Sequence, residues 1–231
     1  MKDQKLPSDN RFLTRAGLEL AYFSGYARIT QRWAGGAGVI LRFERVRPRR
    51  RDSFQPLESQ EVTPGFLDRT IRALKRWKFD IVSMDEVCRR AVTLAAPRRF
   101  VSLTFDGGYK DMVTSAYPVL ANLKDAAVLR EMTMGAAVAQ SALHRDITHF
   151  AYPFGDRRSW RRQHADIASE AGFASAVSAI PGVVGAAGRS NLYALPRIAW
   201  DGRLRSLRAM RAMLSGVGLA RASSNAEFTE S

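Results

Sequence analysis

FVSLTFDGGYKD, residues 100–111, is the stretch on which the fold turns. Phe100 to Phe105 is an apolar run rich in β-branched and aromatic residues, long enough for one buried strand. It ends on Asp106, followed by Gly107 and Gly108, where a backbone without Cβ atoms lets a ligand approach closely. The text on both sides repeats the alternation of strand and helix. Val39-Ile40-Leu41-Arg42-Phe43 reads as a buried strand after the helix-breaking AGGAG of 34–38, and FDIVS at 79–83 as a short one. Between them, Thr63 caps a helix whose first position is Pro64 and whose buried stripe is Phe66, Leu67, Thr70, Ile71 and Leu74. Ser83 and Glu86 form a capping-box pair at the start of the next helix, which runs through Cys88. Strands separated by helices predict a parallel α/β sheet, either open or closed into a β/α barrel. Reacting groups in such folds sit at the carboxyl ends of strands, where Asp106 falls. The residue alone supports two readings, a base or metal ligand, or a cap for the turn that follows.

Composition narrows the field. The 231 residues suit one large α/β domain, and 46% hydrophobic residues with no long apolar run predict a globular chain without a bilayer span. One cysteine, Cys88, excludes an internal disulfide and a cysteine-rich zinc site, and reads as inert on its helix. The opening MKDQKLPSDNRFLTRAG lacks the apolar segment of a secretory signal, so the expected location is cytoplasmic. Net charge is +14, nearly all of the excess being arginine, which raises nucleic acid, anionic membrane or polyanionic glycan as partners. The arginines are scattered in pairs and triplets, such as RPRRR at 47–51 and DRRSWRR at 156–162, rather than gathered on one helix with interleaved aromatics, which argues against nucleic acid.

Residues 9–33 read as one amphipathic helix, with Phe12, Ala16, Leu20, Phe23 and Ala27 at helical spacing; Gly17 and Gly25 weaken it. Peripheral membrane contact through this segment is an alternative use of its basic amphipathic face. Residues 111–124 and most of 126–146 read as helical, HFAYPFGD at 149–156 as strand then turn, and RRSWRRQHADIASEAGF as a helix ending at Gly172. FASAVSA and LYALPRIAWDG supply two more strands, RLRSLRAMRAML a basic helix, and the last dozen residues a frayed tail. The division expected is a helical extension over 1–34, a catalytic-type domain over 35–215 and a tail over 216–231.

In their order, SLTFDGGYKD…AYPVL, HFAYPFGD and LPRIAWDG resemble the polysaccharide deacetylase family, which includes the chitooligosaccharide deacetylases of nodulation. The lead-in GAGVILRFERVRP…EVTPGFLDRTIRALKRWKFDIVSMDEV is similar to the family's amino-terminal part, so the likeness runs over roughly residues 35–202. The resemblance implies hydrolysis of an N-acetyl group on an amino sugar, a carbon–nitrogen bond other than a peptide bond. It implies a divalent metal, usually zinc, held by one aspartate and two histidines, a second aspartate as general base and a histidine as leaving-group acid. By resemblance Asp106 takes the base position, and the amide of Phe154 is the oxyanion donor. The same resemblance implies that Tyr109, Tyr152, Pro153 and Trp200 fall near the substrate.

The departures are as specific as the matches. Gly107 stands where the metal aspartate belongs, Glu44 where many relatives carry a histidine, and Thr148 where an arginine is expected. The histidine loop of the family has no counterpart, and the interval from Tyr109 to Tyr152 is too short to hold the strands that carry it. The chain looks shortened around 125–147, and no leucine-x-histidine motif follows LPRIAWDG. No metal ligand and no cofactor are therefore expected. His144 and His149 with Asp146 match no standard ligand spacing, and His164 reads as solvated. Trp160 and Trp200 are open to sugar stacking or to ordinary packing. The fold expected is an incomplete, distorted β/α barrel with an exposed sheet edge. The function expected is family-level deacetylation of an N-acetylated polysaccharide or chitooligosaccharide, impaired or lost. The alternatives are a non-catalytic glycan-binding or interaction protein, the product of a decaying gene, or a basic nucleic-acid or membrane-surface binder.

Overall fold

The computed structural model describes residues 8–49, 57–93, 98–107, 147–157, 159–217 and 219. They form two compact units, one from the chain's two ends (Met1–Gly35 with Leu204–Ser231) and one from Gly36–Arg203.

The larger unit is built on a parallel four-stranded sheet. Its strands are β1 (Gly38–Phe43), β4 (Asp80–Ile81), β5 (Phe100–Phe105) and β8 (Ile198–Ala199), in the order β4-β5-β1-β8. Strands β1 and β5 run in register from Gly38 opposite Phe100 to Phe43 opposite Phe105. Both are covered on both faces, which is why each is a nearly continuous apolar run rather than an alternating one. Gly38 is required at this pairing, because a Cβ there would lie 2.3 Å from the Phe100 ring. Successive residues of a strand face opposite sides, so Leu41, Phe43, Leu103, Phe105 and Ile198 share one face, where Phe43 and Phe105 stack with centroids 5.4 Å apart. The other face is apolar at its amino end, where Ile40 and Phe100 pack with Val82, Met84, Val87 and Leu195. At its carboxyl end the same face carries charge.

Two crossover helices follow the expected local chemistry. Helix α3 (Pro64–Arg76) starts at Thr63, whose Oγ1 accepts from the Phe66 amide at 3.1 Å, and it buries Phe66, Leu67, Thr70, Ile71 and Leu74. Helix α4 (Met84–Val92) starts at Ser83, whose Oγ accepts from the Glu86 amide at 3.3 Å. The capping box predicted there is only half made. The Glu86 carboxylate bonds Arg89 and Arg90 instead of the Ser83 amide, and Arg90 also donates to Asp80 at 2.8 Å.

Beyond β5, strands β6 (His149–Ala151) and β7 (Ser175–Val177) pair in parallel as a separate two-stranded sheet, joined by helix α5 (Arg162–Glu170). A further parallel pair is β2 (Arg45–Val46) with β3 (Glu61–Val62). Among the described residues the strands close no barrel. The architecture is α/β with parallel sheets, and among the described residues the barrel is incomplete. Helix α5 starts later than its sequence suggests, because Asp156 accepts from both the amide and the hydroxyl of Ser159 at 2.8 Å and so forms a turn.

The smaller unit packs α1 (Ser8–Phe23), α2 (Tyr26–Ala34) and α6 (Leu207–Leu214) around Leu18, Ala27, Ala209 and Ala212. The single helix expected over 9–33 is two helices, broken at Ser24–Gly25 by the left-handed φ of 74° at Gly25. Glu19 ties α1 to the start of α6, accepting from the Ser206 hydroxyl and from Arg208 Nε at 2.6 Å. The helices expected over 111–124 and 126–146 lie outside the described residues, as do Tyr109, His144, Asp146 and the tail from residue 220 on.

Candidate functional site

The charged end of the sheet face is set by register. Arg42 pairs opposite both Thr104 and Ala199, so Thr104, Asp106 and Glu44 point to the side that Arg42 occupies, as does Arg197, two residues before Ala199. Strands in a sheet lie about 4.8 Å apart, so a guanidinium two strands away from Asp106 spans the intervening β1. Arg197 does this with a two-point grip: Nη1 donates to Asp106 Oδ1 at 2.6 Å and Nη2 to Oδ2 at 3.1 Å. Arg42 stands 3.7 Å from the same carboxylate and donates to Glu44 at 3.0 Å. The Asp106 amide donates to Phe43 O at 2.9 Å, which carries the ladder one residue past the strand end and fixes the carboxylate's position.

Arg197 is itself held from behind. Its side chain is 2% exposed, and its Nε donates to Ser178 O at 2.9 Å. Burial pushes the guanidinium down from its ordinary value, while the charge and hydrogen bonds of Asp106 act in the opposite direction. Arginine stays charged in proteins, so Asp106 is the counterion that makes this burial tolerable. The carboxylate side chain is 30% exposed, leaving part of it open to water. Arg197 was not among the residues singled out from sequence. A charged residue in the apolar run Leu195-Pro196-Arg197-Ile198 was the available signal, since a buried charge requires a partner.

Asp106 does not cap a helix within the described residues; it belongs to this ion-pair cluster. Gly107 follows it with φ 88°, a left-handed conformation with no side chain to ligate. The metal implied by the sequence resemblance does not fit the residues described here. The position next to Asp106 offers no donor, both Asp106 oxygens face guanidinium groups, and among the described residues no three His, Cys, Asp or Glu side chains converge. His149 has both ring nitrogens engaged, Nδ1 with Ser175 Oγ at 2.9 Å and Nε2 with Asp85 at 3.1 Å. His164 is not merely solvated. Its Nδ1 accepts the Arg161 amide at 3.1 Å at the start of α5.

The turn after β6 forms a second cluster. Phe154 has φ 59°, a strained conformation for a bulky residue, and its side chain is 85% exposed. Its amide has no hydrogen-bond partner among the described residues. Gly155 is required beside it, since a Cβ there would lie 2.9 Å from the Ala179 amide nitrogen. Phe154, Pro153 and Tyr152 border an apolar cavity of about 460 Å³ between β6 and α5, whose lining does not include Asp106. The Tyr152 ring is buried, and its hydroxyl hydrogen is shared between His164 O at 3.0 Å and Tyr193 O at 2.8 Å. Trp200 is a packing residue and offers no sugar platform, being 5% exposed and stacked on Phe66 at 5.9 Å. Trp160 is likewise buried. Gly202 ends the same motif because a Cβ there would meet Glu61 O at 1.8 Å.

Solved structures share this arrangement of elements. The Streptococcus pyogenes deacetylase PplD, solved with acetate, superposes with a TM-score of 0.56 at 18% identity over 77% of this chain and 97% of that one. IcaB from Ammonifex degensii gives 0.59 at 16% identity over 78% and 98%. A polysaccharide deacetylase from Bacillus cereus gives 0.56 at 13% identity over 77% and 68%. The chain has the fold of polysaccharide deacetylases. At these identities the likeness is one of fold. No family model matches the sequence, and no curated protein matches it. In this fold Asp106 follows the end of β5, and Arg197, just ahead of β8, grips it.

Proposed function

We propose that the chain is a polysaccharide deacetylase-type protein that recognises an N-acetylated glycan and in which hydrolytic deacetylation is impaired or lost. One observation carries the reading: Asp106, to which the sequence resemblance gives the base position, is gripped by Arg197, while the next residue is a left-handed glycine with no ligating side chain. A carboxylate oriented by two charge-assisted hydrogen bonds and partly open to water can accept a proton, which contributes about 10²–10⁴-fold to a rate. In the deacetylase chemistry a metal supplies a water acidic enough to attack an amide. The described residues supply no ligand set for it, so the base is retained without the partner that makes it effective. The Phe154 amide, without a hydrogen-bond partner among the described residues, supports the glycan reading, as a donor on a strained turn suits the carbonyl of an acetamido group.

The test is a paired measurement on the purified chain. Acetate release from chitin oligosaccharides is followed with and without added zinc, and binding of the same oligosaccharides is followed by saturation-transfer NMR. Binding without turnover is expected. Zinc-dependent release of acetate would overturn the loss of hydrolysis, and absence of binding to any N-acetylated oligosaccharide would overturn the glycan assignment.

A further inference from the structure

The unit formed by the chain's ends carries an apolar surface that its own core does not use. Leu18, Ala21 and Ala27 face inward, towards Ala209 and Ala212 of α6 or into the same buried layer. With about 100° between successive residues, Leu20 and Phe23 fall on the opposite side of α1, and Tyr26 and Ile29 point outward from α2. Their exposures are 70%, 69%, 56% and 61%. Two large apolar side chains on α1 and two on α2, at three-residue intervals in sequence, thus lie exposed, where a water-facing surface would place charge.

The charge around these side chains is predominantly positive. Between residues 14–34 and 204–217 the only carboxylate is Glu19, and it is already bound to Ser206 and Arg208. The same segments contain Arg15, Arg28, Arg32, Arg205, Arg208 and Arg211. The Arg208 guanidinium sits 5.3 Å over the Phe23 ring, so a cation borders one of them directly.

We infer that the α1–α2 face bearing Leu20, Phe23, Tyr26 and Ile29 docks on an anionic lipid surface. Aliphatic and phenyl side chains flanked by arginines, with a tyrosine able to stay at the headgroup level, match the chemistry of interfacial helices. Charge complementarity selects this occupant over a second copy of the chain, which would bring like charges together across a shared interface. No described helix is long and apolar enough to cross a membrane, so the helices lie on the surface. This docking does not depend on the glycan reading.

The full chain is tested by flotation with phosphatidylcholine vesicles, with and without phosphatidylglycerol, at low and high salt. Binding is expected only with phosphatidylglycerol and is expected to weaken with salt. Phe23→Ser combined with Ile29→Ser should reduce partitioning at least about tenfold. Arg28→Glu should reduce it by more than about fivefold, from the loss of one cation near an anionic surface and the gain of an anion. Helical circular dichroism should be unchanged in these variants, because the altered side chains are exposed. Equal binding to neutral vesicles, no binding to anionic ones, or a dimer by light scattering that the double serine variant abolishes would each overturn the inference.

Discussion

Replacing Arg197 with methionine and Asp106 with alanine, separately and together, tests whether their pairing is structural or serves only chemistry. Arg197→Met removes two charge-assisted bonds of 2.6 and 3.1 Å and the 2.9 Å bond to Ser178 O, while Met keeps much of the stem's volume. Breaking a buried pair costs about 3–5 kcal/mol. Because the remaining Asp106 is 30% exposed and can be rehydrated, the lower end, about 3 kcal/mol, is expected for Arg197→Met. Asp106→Ala leaves a guanidinium that is 2% exposed without its counterion, so the upper end, about 5 kcal/mol, is expected there. In a domain of this size each kcal/mol moves Tm by about 2–4 °C. The two variants should therefore fall by roughly 6–12 °C and 10–20 °C. The double variant should cost less than the sum, with a coupling of about 1–3 kcal/mol. Urea unfolding followed by circular dichroism gives all three values. If Asp106→Ala is neutral or stabilising, as replacement of a strained catalytic group often is, or if Arg197→Met is the more damaging of the two, the reasoning fails.

Gly107→Asp should restore no acetate release and should cost about 1–2 kcal/mol, because its φ of 88° strains any residue with a Cβ; thermal unfolding and an acetate assay read the two effects. The hydrogen bonds from Ser206 and Arg208 hold the Glu19 carboxyl below its usual range. That stabilisation is present above the unfolded carboxyl's pKa and is lost as pH falls through the lower folded value. Glu19→Gln should therefore cost about 1 kcal/mol at neutral pH and flatten the acid limb of helix melting, measured as urea midpoints across the acid range. Gly202→Ala should abolish soluble expression or lower Tm sharply, since the added Cβ meets a backbone oxygen 1.8 Å away that no side-chain motion can relieve; a normal Tm would contradict the close approach.

Where local chemistry decides structure, the sequence was sufficient. Thr63 with Pro64, Ser83 ahead of α4, and the apolar runs of β1 and β5 each announce an element within a few residues. Asp106 was legible because a carboxylate ending a buried strand is unusual by itself. Arg197 was not, because its meaning depends on a partner 91 positions away and on a sheet order that places β1 between them. The same holds for α6, whose contacts run to Glu19 and Leu18 near the other end of the chain. The Asp156–Ser159 turn was hidden inside a sequence of good helix formers, since a side chain competing for backbone amides leaves no trace in periodicity. Trp200 lay beside a motif and was taken up by packing against Phe66, a contact made through three-dimensional neighbours.

The division of one sheet face into an apolar end and a charged end also bears on how the chain finds its pairing. Sliding β5 by one residue against β1 would turn Asp106 to the phenylalanine side, where Phe43 and Phe105 now stack, and would leave Arg197 buried without an anion. Near-continuous apolar strands carry little alternation to forbid such slips. The salt-linked cluster supplies the discrimination that the apolar sequence lacks, so a slipped register would forfeit the Arg197–Asp106 pairing and stand well above the native one in energy.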